Sequence, residues 1–307
     1  MSTALTMAEA VPLGYVLCDR VARNAGIRLL AIKGPVLAQQ GLRSERQSAD
    51  VDVLVDPAAH GSFLAAMDAV GWVRGPASTA PTIIPMHSKT LRNPLWPLEI
   101  DAHDRFPGFL ASSEDTFEAL WRTRTSVSLG GADVWAPGRP GHAAIVGLHH
   151  LRDPFYASSK VALDSLEEHF RAVATPEELE ALVALAGETG SVETLAPLLS
   201  RLDAPAWGGT EPSASAAALQ EWDLRISSPG SVPWLVSLSR LPVWRWPAEV
   251  WHAIWLSDFE VDAFHRGPHD ESSRLRLRLR RLRRGMGQLP KAAADYLRTR
   301  RRHHRGR

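Results

Sequence analysis

Residues 31–57 read AIKGPVLAQQGLRSERQSADVDVLVDP, and the end of this stretch decides how the rest is read. Asp50 and Asp52 stand two apart in an apolar run with Val51, Val53, Leu54 and Val55. Side chains alternate across a strand, so both carboxylates share one face with Leu54 while the three valines share the other and pack on helices. Two anions held side by side raise each other's proton affinity unless a cation sits between them. For hard oxygen ligands beside phosphate, that cation is magnesium. The competing reading of the same three residues is a solvated strand face.

Outward from this strand, Met7 to Asn24 has helical spacing and Arg28 to Ile32 reads as a short buried strand. Lys33-Gly34 turns the chain into a short helix from Pro35, since proline is best tolerated in a first turn. Asp56-Pro57 starts a helix through Val70, and Gly71 to Val73 is a further strand. A β-α-β-α-β order points to an α/β-like N-terminal domain. Strands are expected at Thr82–Met86 and Leu98–His103, the latter placing Glu99, Asp101 and His103 on one face. Ser126–Leu129 and Ala132–Trp135 flank Gly130-Gly131, a two-residue hairpin signal.

From Pro140 onward helical periodicity takes over. The fold class expected is α+β, a small mixed sheet with flanking helices followed by a mostly helical C-terminal region. The expected domains are 1–138, 139–273 and an arginine-rich tail over 274–307. Ala204–Ser215 reads as a linker, Trp251 and Trp255 as core or groove lining, and the last ten residues as disordered.

Charge is unevenly divided. From Arg274 onward there are 14 Lys+Arg against Asp295 alone, which leaves 21 basic and 33 acidic residues in 1–273. Such a tail can dock on the acidic body, stay solvated, bind nucleic acid, or lie on anionic membrane, in which case Leu275, Leu279, Leu282 and Met286 form its apolar face. One cysteine, Cys18, excludes an internal disulfide framework. No apolar run is long enough to span a bilayer and no signal peptide is evident, so the expected location is the cytoplasm.

Phosphoryl chemistry needs positioning and charge neutralisation more than covalent help from the protein. Two metals can clamp the attacking and leaving oxygens when carboxylates converge at strand ends. Asp50 and Asp52 supply two, and Asp101 on a later strand is the candidate third, able to take a proton from an acceptor hydroxyl. Arg46 can serve phosphate or pair with a carboxylate, and His103 can position substrate or be a hydrogen-bonded structural histidine. His87 and Lys89 are weaker candidates for facing a nucleotide. His149 and His150, adjacent on a helix, are expected to be structural.

The order Lys33-Gly34, Arg46, Asp50-Val51-Asp52-Val53-Leu54-Val55, then Glu99-Ile100-Asp101-Ala102-His103 resembles the nucleotidyltransferases of the DNA polymerase β-like superfamily. More narrowly, it is similar to a bacterial nucleotidyltransferase family largely without assigned substrates, over residues 25–150. The resemblance implies an enzyme that moves an NMP from an NTP to a hydroxyl or phosphate acceptor, with Mg²⁺ (or Mn²⁺) on Asp50, Asp52 and Asp101. It ranks a small-molecule acceptor ahead of nucleic acid, and leaves a macromolecular acceptor or a non-catalytic scaffold as alternatives. The wider superfamily carries Gly-Ser at the turn, whereas Pro35 follows Gly34 here. Lys33 is therefore the expected phosphate contact, with backbone N–H groups of the following helix assisting. Glu99 competes with Asp101 for the third carboxylate position.

Overall fold

The computed structural model describes residues 5–75, 87–204, 214–226, 241–256 and 270–283, with isolated residues between and beyond them. The expected strand at Thr82–Met86, most of the 204–215 linker and the last ten residues lie outside the described residues. The chain divides into two compact units: 1–74 with 87–219, and 75–86 with 220–307. The boundary expected at 138/139 falls inside the first of these.

In the first unit the elements are α1 (Met7–Asn24), β1 (Leu29–Ile32), α2 (Gly34–Gln39), β2 (Asp50–Val55), α3 (His60–Ala69), β3 (Val73–Arg74), β4 (Ser88–Arg92), β5 (Glu99–His103), α4 (Ser113–Arg122), β6 (Thr125–Leu129), β7 (Ala132–Ala136), α5 (Arg139–Leu151), α6 (Ala157–Val173), α7 (Pro176–Glu188) and α8 (Val192–Arg201). Five strands form one mixed sheet in the order β1-β2-β5-β4-β3, and β6-β7 is the hairpin. This is the α+β class with a small mixed sheet and flanking helices. Gly130 and Gly131 take φ of +54° and +81° at the hairpin turn, a pair of conformations few other residues adopt cheaply.

β2 is an interior strand and pairs antiparallel with β1 and parallel with β5. Its valine face is buried: Val51, Val53 and Val55 join Ile100 and Ala102 of β5 and Val11, Tyr15 and Cys18 of α1 in one apolar cluster. Gly14 lets α1 approach closely, since a Cβ there would sit 2.8 Å from Val51. Thr6 and Glu9 close a capping box that starts α1. Burying valines on one face fixes the register, because a slip of one residue would send the aspartates into the apolar cluster.

The second unit holds α10 (Trp246–Ile254) and a helix over 271–283, while α9 (Ala216–Ile226) straddles the division between units. Trp251 and Trp255 do not line a core. They are 58% and 37% exposed and stack on each other at 5.5 Å. Spacing of i, i+4 brings two rings together on a helix but does not say which way that face turns.

Candidate active site

The register places the acidic side chains in rows. Asp50 pairs with Glu99, Asp52 with Asp101 and Leu54 with His103 across the parallel β2–β5 ladder. Thr90 pairs with Asp101, and Arg92 with Glu99, on β4. Thr90 Oγ1 donates to Asp101 Oδ1 at 2.6 Å, whereas Glu99 is ion-paired with Arg92 at 2.9 Å. Asp52, Asp101 and His103 thus share one face of neighbouring strands.

Asp52 is 5% exposed and doubly engaged at one oxygen. Lys33 Nζ donates to its Oδ1 at 2.8 Å and His103 Nε2 donates to the same atom at 2.9 Å. Burial alone would raise the Asp52 pKa, yet the His103 hydrogen bond and the Lys33 charge outweigh it and hold the carboxyl well below the usual range. Asp50 shows the opposite. Burial, then repulsion from Asp52, raises its pKa, with Asp101 adding and Lys33 only partly offsetting. Asp50 makes no side-chain hydrogen bond or ion pair among the described residues.

The Lys33-Gly34 turn is built from several long-range contacts. Lys33 has φ 58° and ψ −143°, and Gly34 has φ 50°. A Cβ on Gly34 would run into the Tyr15 hydroxyl, which itself donates to Ile32 O at 2.9 Å. Lys33 N–H donates to His142 Nε2 at 2.6 Å, and His142 Nδ1 faces Gln40 Oε1 at 2.7 Å. Gln40 in turn donates from Nε2 to Pro137 O at 2.7 Å. This network fixes the neutral Nδ1–H tautomer. Burial, with Lys33 second, lowers the His142 pKa to about 3. The Lys33 amide is therefore committed to α5 and is not a backbone donor for phosphate. The residue's ammonium is what it offers.

A cleft of 310 Å³ opens over this face, lined by Lys33, Arg43, Arg46, Asp50, Asp52, His149 and His150 among others. Arg43 donates to Ser48 Oγ at 3.1 Å and has no carboxylate partner, while its Nε is buried without one. Burial, then the charge of Arg46, lowers the Arg43 pKa. Arg46 makes no ion pair among the described residues. Two guanidiniums that make no ion pair among the described residues suit this part of the cleft to an anion, although the Asp50 charge partly favours charged Arg43.

Lys33, Gly34, Arg46, Asp50 and Asp52 line the cleft together, while Asp101 stands one strand over and His103 is 2% exposed behind Asp52. His149 and His150, expected to be structural, line the cleft. Both are held neutral, by burial first, the latter with a pKa lowered to about 4. His87 contacts Arg152 Nη1 at 3.3 Å. Sequence reasoning missed Arg43, His142, Gln40 and Tyr15. Arg43 could have been found as the first arginine of an Arg-x-x-Arg run before the aspartates; the others give no local signal.

Among the described residues, no three His, Cys, Asp or Glu side chains gather closely enough to cage a metal unaided. Magnesium takes one or two protein carboxylates and fills its shell with water and substrate phosphate. Asp50 and Asp52, one repelled by the other, could hold such an ion jointly with a phosphate-bearing ligand. The donor set fits magnesium on those terms.

No curated protein resembles the sequence at a significant level. Among solved structures, the CCA-adding enzyme of Thermotoga maritima in complex with tRNA aligns over 91% of this chain and 70% of its own at 12% identity and a TM-score of 0.27. The model of the uncharacterised nucleotidyltransferase family matches residues 18–199, well over half of the chain and all of the cleft. The chain belongs to the uncharacterised nucleotidyltransferase family.

Proposed function

We propose that the cleft binds an NTP with magnesium and transfers its NMP to a hydroxyl or phosphate group of a small-molecule acceptor. The observation that carries this reading is one cleft lined by two same-face strand carboxylates, Asp50 and Asp52, and by three cations, Lys33, Arg43 and Arg46. Carboxylates alone would repel a triphosphate; arginines alone would bind one without activating it.

Asp50 and Asp52 would hold magnesium together with substrate phosphate, and the ion would supply charge neutralisation at the reacting phosphoryl group. Arg43 and Arg46 seat the outer phosphates, where bidentate guanidinium contacts suit the leaving group. Lys33, held beside Asp52, offers its ammonium to the incoming phosphate. The acceptor oxygen forms a bond to the α-phosphorus as the bond to the bridging oxygen breaks. Pyrophosphate leaves with that electron pair, and the acceptor proton passes to Asp101, which Thr90 holds by one oxygen. His103 keeps Asp52 ionised and oriented.

Isothermal titration with each NTP and Mg²⁺, followed by pyrophosphate release on addition of candidate acceptors, tests the reading. Nucleotide binding that requires the metal and disappears in Asp50→Asn is the expected result. Absence of metal-dependent nucleotide binding would sink it.

A further inference from the structure

In the second unit, the helix over 271–283 is docked by Arg274 and Arg278, with Leu277 and Leu282 half-buried, and leaves Leu275 and Leu279 outside. Arg278 donates to Leu256 O at 2.8 Å and to Asp258 Oδ1 at 2.5 Å, and its guanidinium lies 5.2 Å from the Trp255 ring centroid. Arg274 reaches the same Asp258 at 3.5 Å. The outward face carries Leu275 and Leu279, one turn apart and 45% and 52% exposed. Arg276, Arg280 and Arg283 are exposed beside them and make no hydrogen bond or ion pair among the described residues. A helix that only needed to be soluble would bury the leucines and spread the arginines outward. Here the apolar stripe and a row of unbalanced cations face solvent together.

The same unit exposes other large apolar groups: Val243 at 70% and Trp244 at 77%. This chemistry selects among partners. A phosphate backbone satisfies arginines but offers nothing to Leu275 and Leu279. An anionic bilayer satisfies both, since leucines enter the headgroup–acyl boundary while guanidiniums meet lipid phosphates and tryptophan settles at the interface. We infer that the 271–283 helix lays its Leu275/Leu279 face on anionic membrane, making the second unit a peripheral membrane anchor.

Co-sedimentation of the full chain with vesicles of phosphatidylcholine, alone or mixed with phosphatidylglycerol, tests this. The chain should pellet with the mixed vesicles, not with phosphatidylcholine alone, and the bound fraction should fall as salt rises. Leu275→Gln with Leu279→Gln should weaken binding at least about tenfold. Arg276→Gln with Arg280→Gln should weaken it roughly fivefold per arginine. Far-UV circular dichroism of each variant checks that the helix is retained. Vesicle binding indifferent to the leucine pair overturns the proposal. So does tighter binding of single-stranded RNA or tRNA that only the arginine variants disturb, which makes the face a nucleic-acid surface. Concentration-dependent self-association lost in the leucine variant overturns it in favour of a second copy of the chain.

Discussion

Asp52 and Asp50 sit two residues apart on one strand and behave as opposites. Asp52, at the inner end of the cleft, is buried, bonded to Lys33 and His103, and pushed toward the ionised form. Asp50, at the outer end with Arg43 and Arg46 along the same wall, is without a partner and pushed toward the protonated form. The inner end is neutralised by the chain itself and costs little to maintain. The outer end carries charges of both signs that make no ion pair among the described residues. Unsatisfied charges in a cleft are where a charged ligand gains the most, because binding removes a cost the empty site carries.

The largest test of that contrast removes each aspartate in turn. Asp52→Asn should abolish NTP turnover and also lower stability by about 3 kcal/mol, since the amide oxygen still accepts from Lys33 and His103 but no longer supplies the buried Lys33 ammonium with a counter-charge. Asp50→Asn should abolish turnover equally while moving the melting temperature hardly at all. Thermal melts beside pyrophosphate assays read both; equal destabilisation by the two variants would break the comparison.

Next comes Gly34→Ala. With φ at 50° and the Tyr15 hydroxyl against the missing Cβ, it should cost on the order of 2 kcal/mol and displace the Lys33 ammonium. Chemical denaturation measures the first effect, and nucleotide titration the second.

Arg43→Gln and Arg46→Gln should each raise the KM for NTP roughly tenfold, the worth of a charge-assisted contact, with stability unchanged or slightly improved as mutual repulsion is relieved. A fall in kcat alone would place them away from the leaving phosphates.

The effect that vanishes at neutral pH is a pH slope. Folded His142 takes a proton only near pH 3, whereas the unfolded imidazole does so near 6.5. Between those values the unfolded chain binds the extra proton, so stability falls as pH drops from 6.5 toward 3 and levels off below. His142→Gln should flatten this profile by up to about 1.4 kcal/mol per pH unit, read from urea midpoints across that range.

Period-two alternation made β2 and β5 legible, because a half-buried strand writes its buried face directly into the sequence as Val51, Val53 and Val55. Lys33, Gly34, Arg46, Asp50 and Asp52 were legible for the same reason: they lie within twenty residues and their order is constrained by one turn and one strand. Arg43 was visible but unread. His142 was not legible, since its partner Lys33 lies 109 positions away and a buried histidine in a helix carries no periodic mark. That His149 and His150 both line the cleft was not legible, because adjacency on an ideal helix says nothing about a cleft wide enough to admit both rings.

The sequence by itself determined the strands, the paired carboxylates and the charge division between body and tail, all of them local patterns of side-chain alternation and composition. Only the tertiary structure decided which aspartate is neutralised and which is left exposed to a ligand. It alone showed that Lys33 spends its backbone amide on His142 while its ammonium meets Asp52 in the cleft, and that Leu275 and Leu279 of the 271–283 helix face outward. Those outcomes depend on which distant groups come within hydrogen-bonding range, and such distances are set by packing rather than by spacing along the chain.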